Sequence, residues 1–213
     1  MDWRTSVARQ AAALGLPGEP VADAWRARYQ PQLETVRRGE REWVVLDVLH
    51  REALDEVLAE LGLDLPAEQR DELTLAWHRL DPWPDTVPGL TRLKRRFVVA
   101  PCSNGHIAQS VALARHAGLA WDAILGAEIA RAYKPDPAVY LASVAALGLE
   151  PGDAMMVAAH NGDLQAAAAC GLRAAFVARP REYGPGQEDD LHADPGVDVE
   201  AADFLALAEA LGA

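Results

Sequence analysis

Apolar positions between Val21 and Leu80 recur with the 3.6-residue period of a helix. Leu54, Val57, Leu58 and Leu61 form one stripe, and Leu73, Ala76, Trp77 and Leu80 form a second. The spacing predicts two or more amphipathic helices packed on one another. Gly62 closes one of them, and Pro66 followed by Glu68 opens the next, a first-turn proline with an acid near the positive helix end. The run Asp81-Pro82-Trp83-Pro84-Asp85-Thr86-Val87-Pro88 is too rich in proline for helix or central strand, so it reads as a connection between two structural units.

Beyond this connection the texture alternates. After a short helix ending at Arg96, short apolar runs at 97–101, 123–126, 154–159 and 174–177 read as strands. Between them lie predicted helices at 106–116, 137–147 and 164–170. Strands apolar on both faces and separated by helices imply a parallel sheet covered on each side, an α/β fold. Residues 179–199, rich in Gly, Pro and Asp, read as a surface loop before a last helix at 201–211. No repeat or low-complexity tract is present.

Composition narrows the partners. The chain has 213 residues, half of them hydrophobic, enough for one sizeable core or a core with a small satellite. With 32 acidic against 20 basic side chains and a net charge of -12, its surface repels phosphate backbones and anionic lipid heads. Nucleic acid and membrane are therefore not expected partners. An anionic small molecule meets the same repulsion, so its site must carry local cations and N–H donors. Cys102 and Cys170 have neither metal-like nor disulfide-like spacing and read as buried free thiols in a reducing cytosol. Residues 1–20 hold no apolar run long enough for a signal peptide or membrane span, and a cytoplasmic protein is expected.

Ligands of open parallel sheets bind at the carboxyl ends of strands, so the residues after each strand matter most. Three such loops stand out. Ser103-Asn104-Gly105 offers a hydroxyl, an amide and a glycine that permits close backbone approach, although Ser103 or Asn104 alone could be a helix cap. Tyr133-Lys134-Pro135-Asp136-Pro137 holds a lysine between two prolines at the start of a helix. His160-Asn161-Gly162-Asp163 follows the third of these segments and precedes an alanine-rich helix, where Asp163 alone reads equally well as a cap.

In this order, Ser-Asn-Gly, Tyr-Lys-Pro-Asp and a loop aspartate after an apolar strand resemble motifs two to four of the haloacid dehalogenase superfamily. Asp2-Trp3-Arg4-Thr5-Ser6, Trp25-Arg26 and Arg179-Pro180-Arg181-Glu182-Tyr183-Gly184 resemble its type II 2-haloacid dehalogenase branch. The resemblance implies a Rossmann-like parallel sheet core with a helical cap. Residues 7–84 would be the cap, 85–213 the core, and 1–6 a remnant of the first core motif. It implies hydrolysis of a carbon–halogen bond through an aspartyl ester, without a cofactor or metal. Arg26 would grip the leaving halide or the substrate; Ser103, Asn104 and Gly105, with Asn161, would hold the substrate. Lys134 would orient the nucleophilic aspartate, Tyr140 would pack close by, and Asp163 would support the lysine and the hydrolytic water. A small anionic substrate and a homodimer are the implied partners.

The chain departs from the family pattern in two places. The first motif, Asp-X-X-Gly-Thr at the end of the first core strand, is absent, although the match runs up to residue 2. A translation start placed too late is the expectation, with roughly ten to twenty residues missing, about one strand and its turn. Loss of that strand would leave two interior sheet edges unpaired and the chain poorly folded. At Ala158-Ala159-His160, alanines replace small polar side chains, and His160 could compensate as a donor or general base. A magnesium-dependent phosphatase is the alternative, disfavoured because Ala159 stands where a metal-binding acid belongs. A catalytically silent binding protein is a third reading.

Overall fold

The structure, a computed structural model, describes all 213 residues. Its first part is helical: α1 (Trp3–Ala13), α2 (Gly18–Arg37), α3 (Leu46–Glu60), α4 (Ala67–Thr74) and a 3-10 turn (Leu75–His78). Asp2 caps α1 by accepting from the Thr5 N–H. The predicted stripes face inward: Leu54, Val57, Leu58, Leu73, Ala76, Trp77 and Leu80 are buried together with Trp3, Val7 and Trp25. Leu61 ends the first stripe outside, at the C-cap of α3, where it is partly exposed. Each leucine so buried contributes about 1.5–3 kcal/mol. The indole of Trp25 also donates to the His50 carbonyl at 2.9 Å, fixing α2 against α3.

The proline-rich connection is shorter than expected, because α5 (Thr86–Leu93) already starts inside it. Pro88 lies in the first turn, where the missing N–H removes no helical bond. Asp2 donates its N–H to the Asp81 carbonyl and Ser6 accepts from the Asp81 N–H, both at 2.9 Å, so the start of the chain is sewn to this connection.

The second part follows the expected alternation: β1 (Cys102–Ser103), α6 (Ile107–Ala117), β2 (Leu125–Gly126), α7 (Ala127–Ala130), α8 (Pro137–Ala146), β3 (Met155–Ala158), α9 (Asn161–Ala169), β4 (Arg173–Val177), β5 (Val199–Ala201) and α10 (Phe204–Ala210). Every pairing is parallel, with Cys102 opposite Leu125, Val157 opposite Ala175 and Phe176 opposite Glu200. The α/β class is as expected. The sheet is divided: β1 and β2 form one part and β3, β4 and β5 the other. β1 and β3 each keep one edge without a partner, and their carboxyl ends open on one cleft.

Three local expectations are corrected. Residues 97–101 form no strand; Pro101 has no N–H for a ladder, Val99 bonds to Asp122 instead, and Val98 is 63% exposed. Residues 199–201, assigned to loop and helix, extend the second sheet as β5, because their alternation is too short to read as a strand by itself. The two thiols are free as expected but only half-buried.

Gly126 sets the position of β1. Its φ is 121°, and a Cβ there would stand 2.2 Å from the Ser103 carbonyl oxygen and 2.5 Å from the Ser103 nitrogen. Gly126→Ala is expected to destabilise the chain by at least about 2 kcal/mol. Urea denaturation of this variant beside Gly152→Ala, where the space is open, measures the difference.

Candidate functional site

The loops after β1 and β3, the loop before α8 and the inner face of α2 enclose a cleft of about 770 Å3. Its centre is the Asp163 carboxylate, in the first turn of α9. Lys134 donates from Nζ to Asp163 Oδ2 at 2.6 Å, and Tyr140 donates its hydroxyl to Oδ1 at 2.6 Å. Asp163 is therefore no helix cap; both oxygens face away from the α9 backbone into this network. The Lys134 and Asp163 side chains are 14% and 16% exposed, so the pair is largely desolvated. Burial, and then the adjacent Asp163 carboxylate, push the Tyr140 phenol well above its ordinary range, leaving it a donor at any working pH.

A second network ties this pair to β1. The Lys134 N–H donates to Asn104 Oδ1 at 2.7 Å, and Asn104 Nδ2 donates to the Tyr29 hydroxyl at 3.1 Å. Asn104 thus bridges the loop after β1, the lysine loop and α2. Ser103 Oγ accepts from the Gly105 N–H at 3.0 Å, bending the loop into a compact turn at the cleft wall. The Lys134–Pro135 peptide is cis. Arg37, near the end of α2, donates to the Lys134 carbonyl.

Arg26 is held differently. Its guanidinium stacks over Tyr29 at 4.5 Å and lies near the rings of Tyr183 at 5.4 Å and Trp3 at 5.7 Å. It donates to the Tyr183 hydroxyl at 2.9 Å and makes no ion pair. It is a cation walled by aromatic faces, with its charge uncompensated.

His160, at the end of β3, meets Glu182 on the return loop, Nε2 to Oε2 at 3.1 Å. The Glu182 contact raises the imidazole above its ordinary value against the opposing effect of burial. Burial alone would raise the Glu182 carboxyl, but the imidazole overcomes it and leaves it lowered. Each group thus favours the charged form of the other.

Seven of the residues expected from sequence line this cleft with Asp163: Arg26, Ser103, Asn104, Gly105, Lys134, Tyr140 and His160. Asn161 is placed elsewhere. Its amide donates to Asp190 Oδ1 and the His192 carbonyl and accepts from the Asp194 N–H, so it anchors the loop 179–199. Tyr29 and Glu182 are cleft residues that carried no expected role. Tyr29 was findable, since it lies three residues after Arg26 on the same helix face. Glu182 reaches His160 only through the fold of an irregular loop.

A hard cation fits the centre poorly. Both Asp163 oxygens are already committed, and Ala158 and Ala159 bring no oxygen ligand beside them.

The model of the haloacid dehalogenase-like hydrolases matches residues 3–171, four-fifths of the sequence. The chain is a haloacid dehalogenase-like hydrolase. This hydrolase is 30% identical over 189 residues to (S)-2-haloacid dehalogenase 1 of a Pseudomonas strain, CBS-3, covering 86% of this chain and 83% of that one. It is 32% identical over 183 residues to the (S)-2-haloacid dehalogenase of Pseudomonas strain YL, covering 84% and 78%. Among solved structures, it superposes on a defluorinating L-2-haloacid dehalogenase with a TM-score of 0.96 at 48% identity, covering 100% of this chain and 90% of that one. No helix of the hydrolase is long and apolar enough to cross a membrane.

The central ion pair yields a direct test. Asp163→Ala leaves the Lys134 ammonium buried without a partner, which is expected to cost about 3–5 kcal/mol. The double variant with Lys134→Met is expected to recover most of that loss, and a double-mutant cycle in urea measures it.

Proposed function

We propose that this hydrolase removes halide from a small 2-haloacid, acting in the cytoplasm, without a cofactor and as a homodimer, with residues 7–84 as the lid. The carrying observation is Arg26: a cation with no ion-pair partner, set among aromatic rings in a molecule of net charge -12, on the cleft that also holds the Lys134–Asp163 pair. Such a cage suits a weakly hydrated anion, a leaving halide or the substrate carboxylate, and shields it from the surrounding negative field. The names of the relatives point to the same substrate class.

In this reading a carboxylate attacks C2 of the substrate, the C–O bond forms as the carbon–halogen bond breaks, and halide departs toward Arg26. Lys134 orients the attacking carboxylate, and Asp163 and Tyr140 fix the lysine. Ser103, Gly105 and Asn104 hold the substrate carboxylate. Water then adds to the carboxyl carbon of the ester. Its proton passes to His160, whose Nε2–H is donated to Glu182, leaving Nδ1 as the free base. Collapse releases the 2-oxygen, which takes the proton back from His160, and regenerates the enzyme carboxylate with loss of one proton to solvent.

The attacking carboxylate belongs on a strand seated between the free edges of β1 and β3. Asp163 is locked by two donors and Glu182 by His160, so neither is available to attack. A chain extended upstream through an Asp-X-X-Gly-Thr strand is expected to release chloride from 2-chloropropionate in EDTA. The 213-residue chain alone is expected to release none. Phosphate release from a sugar phosphate that depends on Mg2+ would replace this reading with the phosphatase.

Two further outcomes follow in the extended chain. Arg26→Lys keeps the charge but loses the stacked plane, and kcat/KM is expected to fall on the order of 100-fold. The His160 base works only when neutral, so kcat is expected to rise with pH through an imidazole pKa above the ordinary value. Glu182→Gln removes the anion that raises it, so the acid limb is expected to move to lower pH. A pH–rate profile unmoved by Glu182→Gln would remove His160 from the reaction.

A further inference from the structure

Outside the cleft, three metal-ligating side chains from three elements converge. Asp47 lies in the first turn of α3, His78 ends the 3-10 turn, and His106 immediately precedes α6. His78 Nε2 stands 2.9 Å from each Asp47 oxygen, and His106 Nε2 stands 3.4 Å from Oδ2. One ligand atom from each of the three lies within 4.8 Å of the others. The two rings meet edge to face, with centroids 5.7 Å apart. None of the three lines the cleft.

A carboxylate hydrogen-bonded to histidines is the ordinary account of such a cluster, and here it falls short. Asp47 has no arginine or lysine partner, and His78 engages both of its oxygens. His106 is left over. Its side chain is 8% exposed, its Nδ1 has no partner, and its Nε2 reaches only the 3.4 Å contact. Its Nε2 faces Asp47 Oδ2 without a hydrogen bond, so this nitrogen is the one open to a further partner. Burial also lowers the His106 imidazole, which keeps its lone pair available.

A tetrahedral ion with ligand bonds of about 2.0–2.1 Å places neighbouring ligand atoms about 3.3 Å apart. The observed separations of 2.9 and 3.4 Å lie close to that spacing. Two imidazoles and one carboxylate favour zinc and its transition-metal neighbours over magnesium or calcium. We propose that Asp47, His78 and His106 form a binding site for a divalent transition-metal ion of the zinc class, fastening the helical layer to α6. The remaining position is left to water. The nearest further carboxylate, Glu128, is taken by the Ile107 N–H at 2.6 Å.

The test uses the 213-residue chain, freed of any affinity tag and stripped with EDTA. With one equivalent of Zn2+ it is expected to retain one ion per chain through gel filtration, and Zn2+ is expected to raise its melting temperature. With Co2+ it is expected to show the visible absorption of a low-coordinate site, unchanged by excess Mg2+. His106→Gln and Asp47→Asn are expected to weaken binding at least about tenfold, whereas His116→Gln and Cys102→Ser leave it intact. Circular dichroism separates a lost site from a lost fold. Where a variant unfolds, the Co2+ spectrum of the unsubstituted chain decides. No retained ion and no Co2+ absorption would overturn the proposal, as would binding that survives His106→Gln in a folded chain.

Discussion

The architecture of the cleft depends on one carboxylate accepting two short hydrogen bonds. Asp163 receives Lys134 and Tyr140 at 2.6 Å each, from the loop before α8 and from α8 itself. Lys134 in turn donates its backbone N–H to Asn104, which reaches Tyr29 on α2. Four separate stretches of chain are thereby held by one buried charge pair and its amide extension. In a low-dielectric setting such a pair contributes little net stability, but losing either member is expensive. Its effect is to fix geometry: the ammonium cannot drift, because each alternative leaves a buried charge unpaired.

Arg26 completes the electrostatics by remaining unpaired. Most arginines of the helical layer are tied to carboxylates, as with Arg4 to Asp23 and Arg70 to Asp55. Arg26 has rings on its faces and a phenol at its edge instead. In a strongly acidic molecule, a cation with no ion-pair partner offsets the general repulsion of an anion. The aromatic walls also lower the local dielectric, which strengthens the attraction for an anion that sheds its water easily.

What the sequence made readable was the chemistry at strand ends. Ser103, Asn104, Lys134 and Asp163 follow short apolar runs and precede helices, and local pattern suffices to place such residues at the rim of a parallel sheet. The helical stripe was equally plain, since Leu54, Val57 and Leu58 must share a face. Long-range pairing was not. Glu182 gains its role from a loop that folds back over 22 residues to His160. Asn161, next to the right residues, is drawn off by Asp190 and Asp194 on the same loop. β5 depends on pairing with β4 more than on its own three residues.

The misreading of residues 97–101 has a different cause and bears on the chemistry. Phe97 and Val98 are apolar yet exposed, and only Cys102 and Ser103 complete a ladder, with β2. A strand flanked on both sides would keep its full length, because each additional ladder bond and buried side chain stabilises the next. The edges of β1 and β3 that carry no partner strand both lead to the cleft that holds Lys134 and Asp163. The short ladder of β1 and the placing of Ser103 and Asn104 on the cleft wall thus depend on the same stretch of backbone.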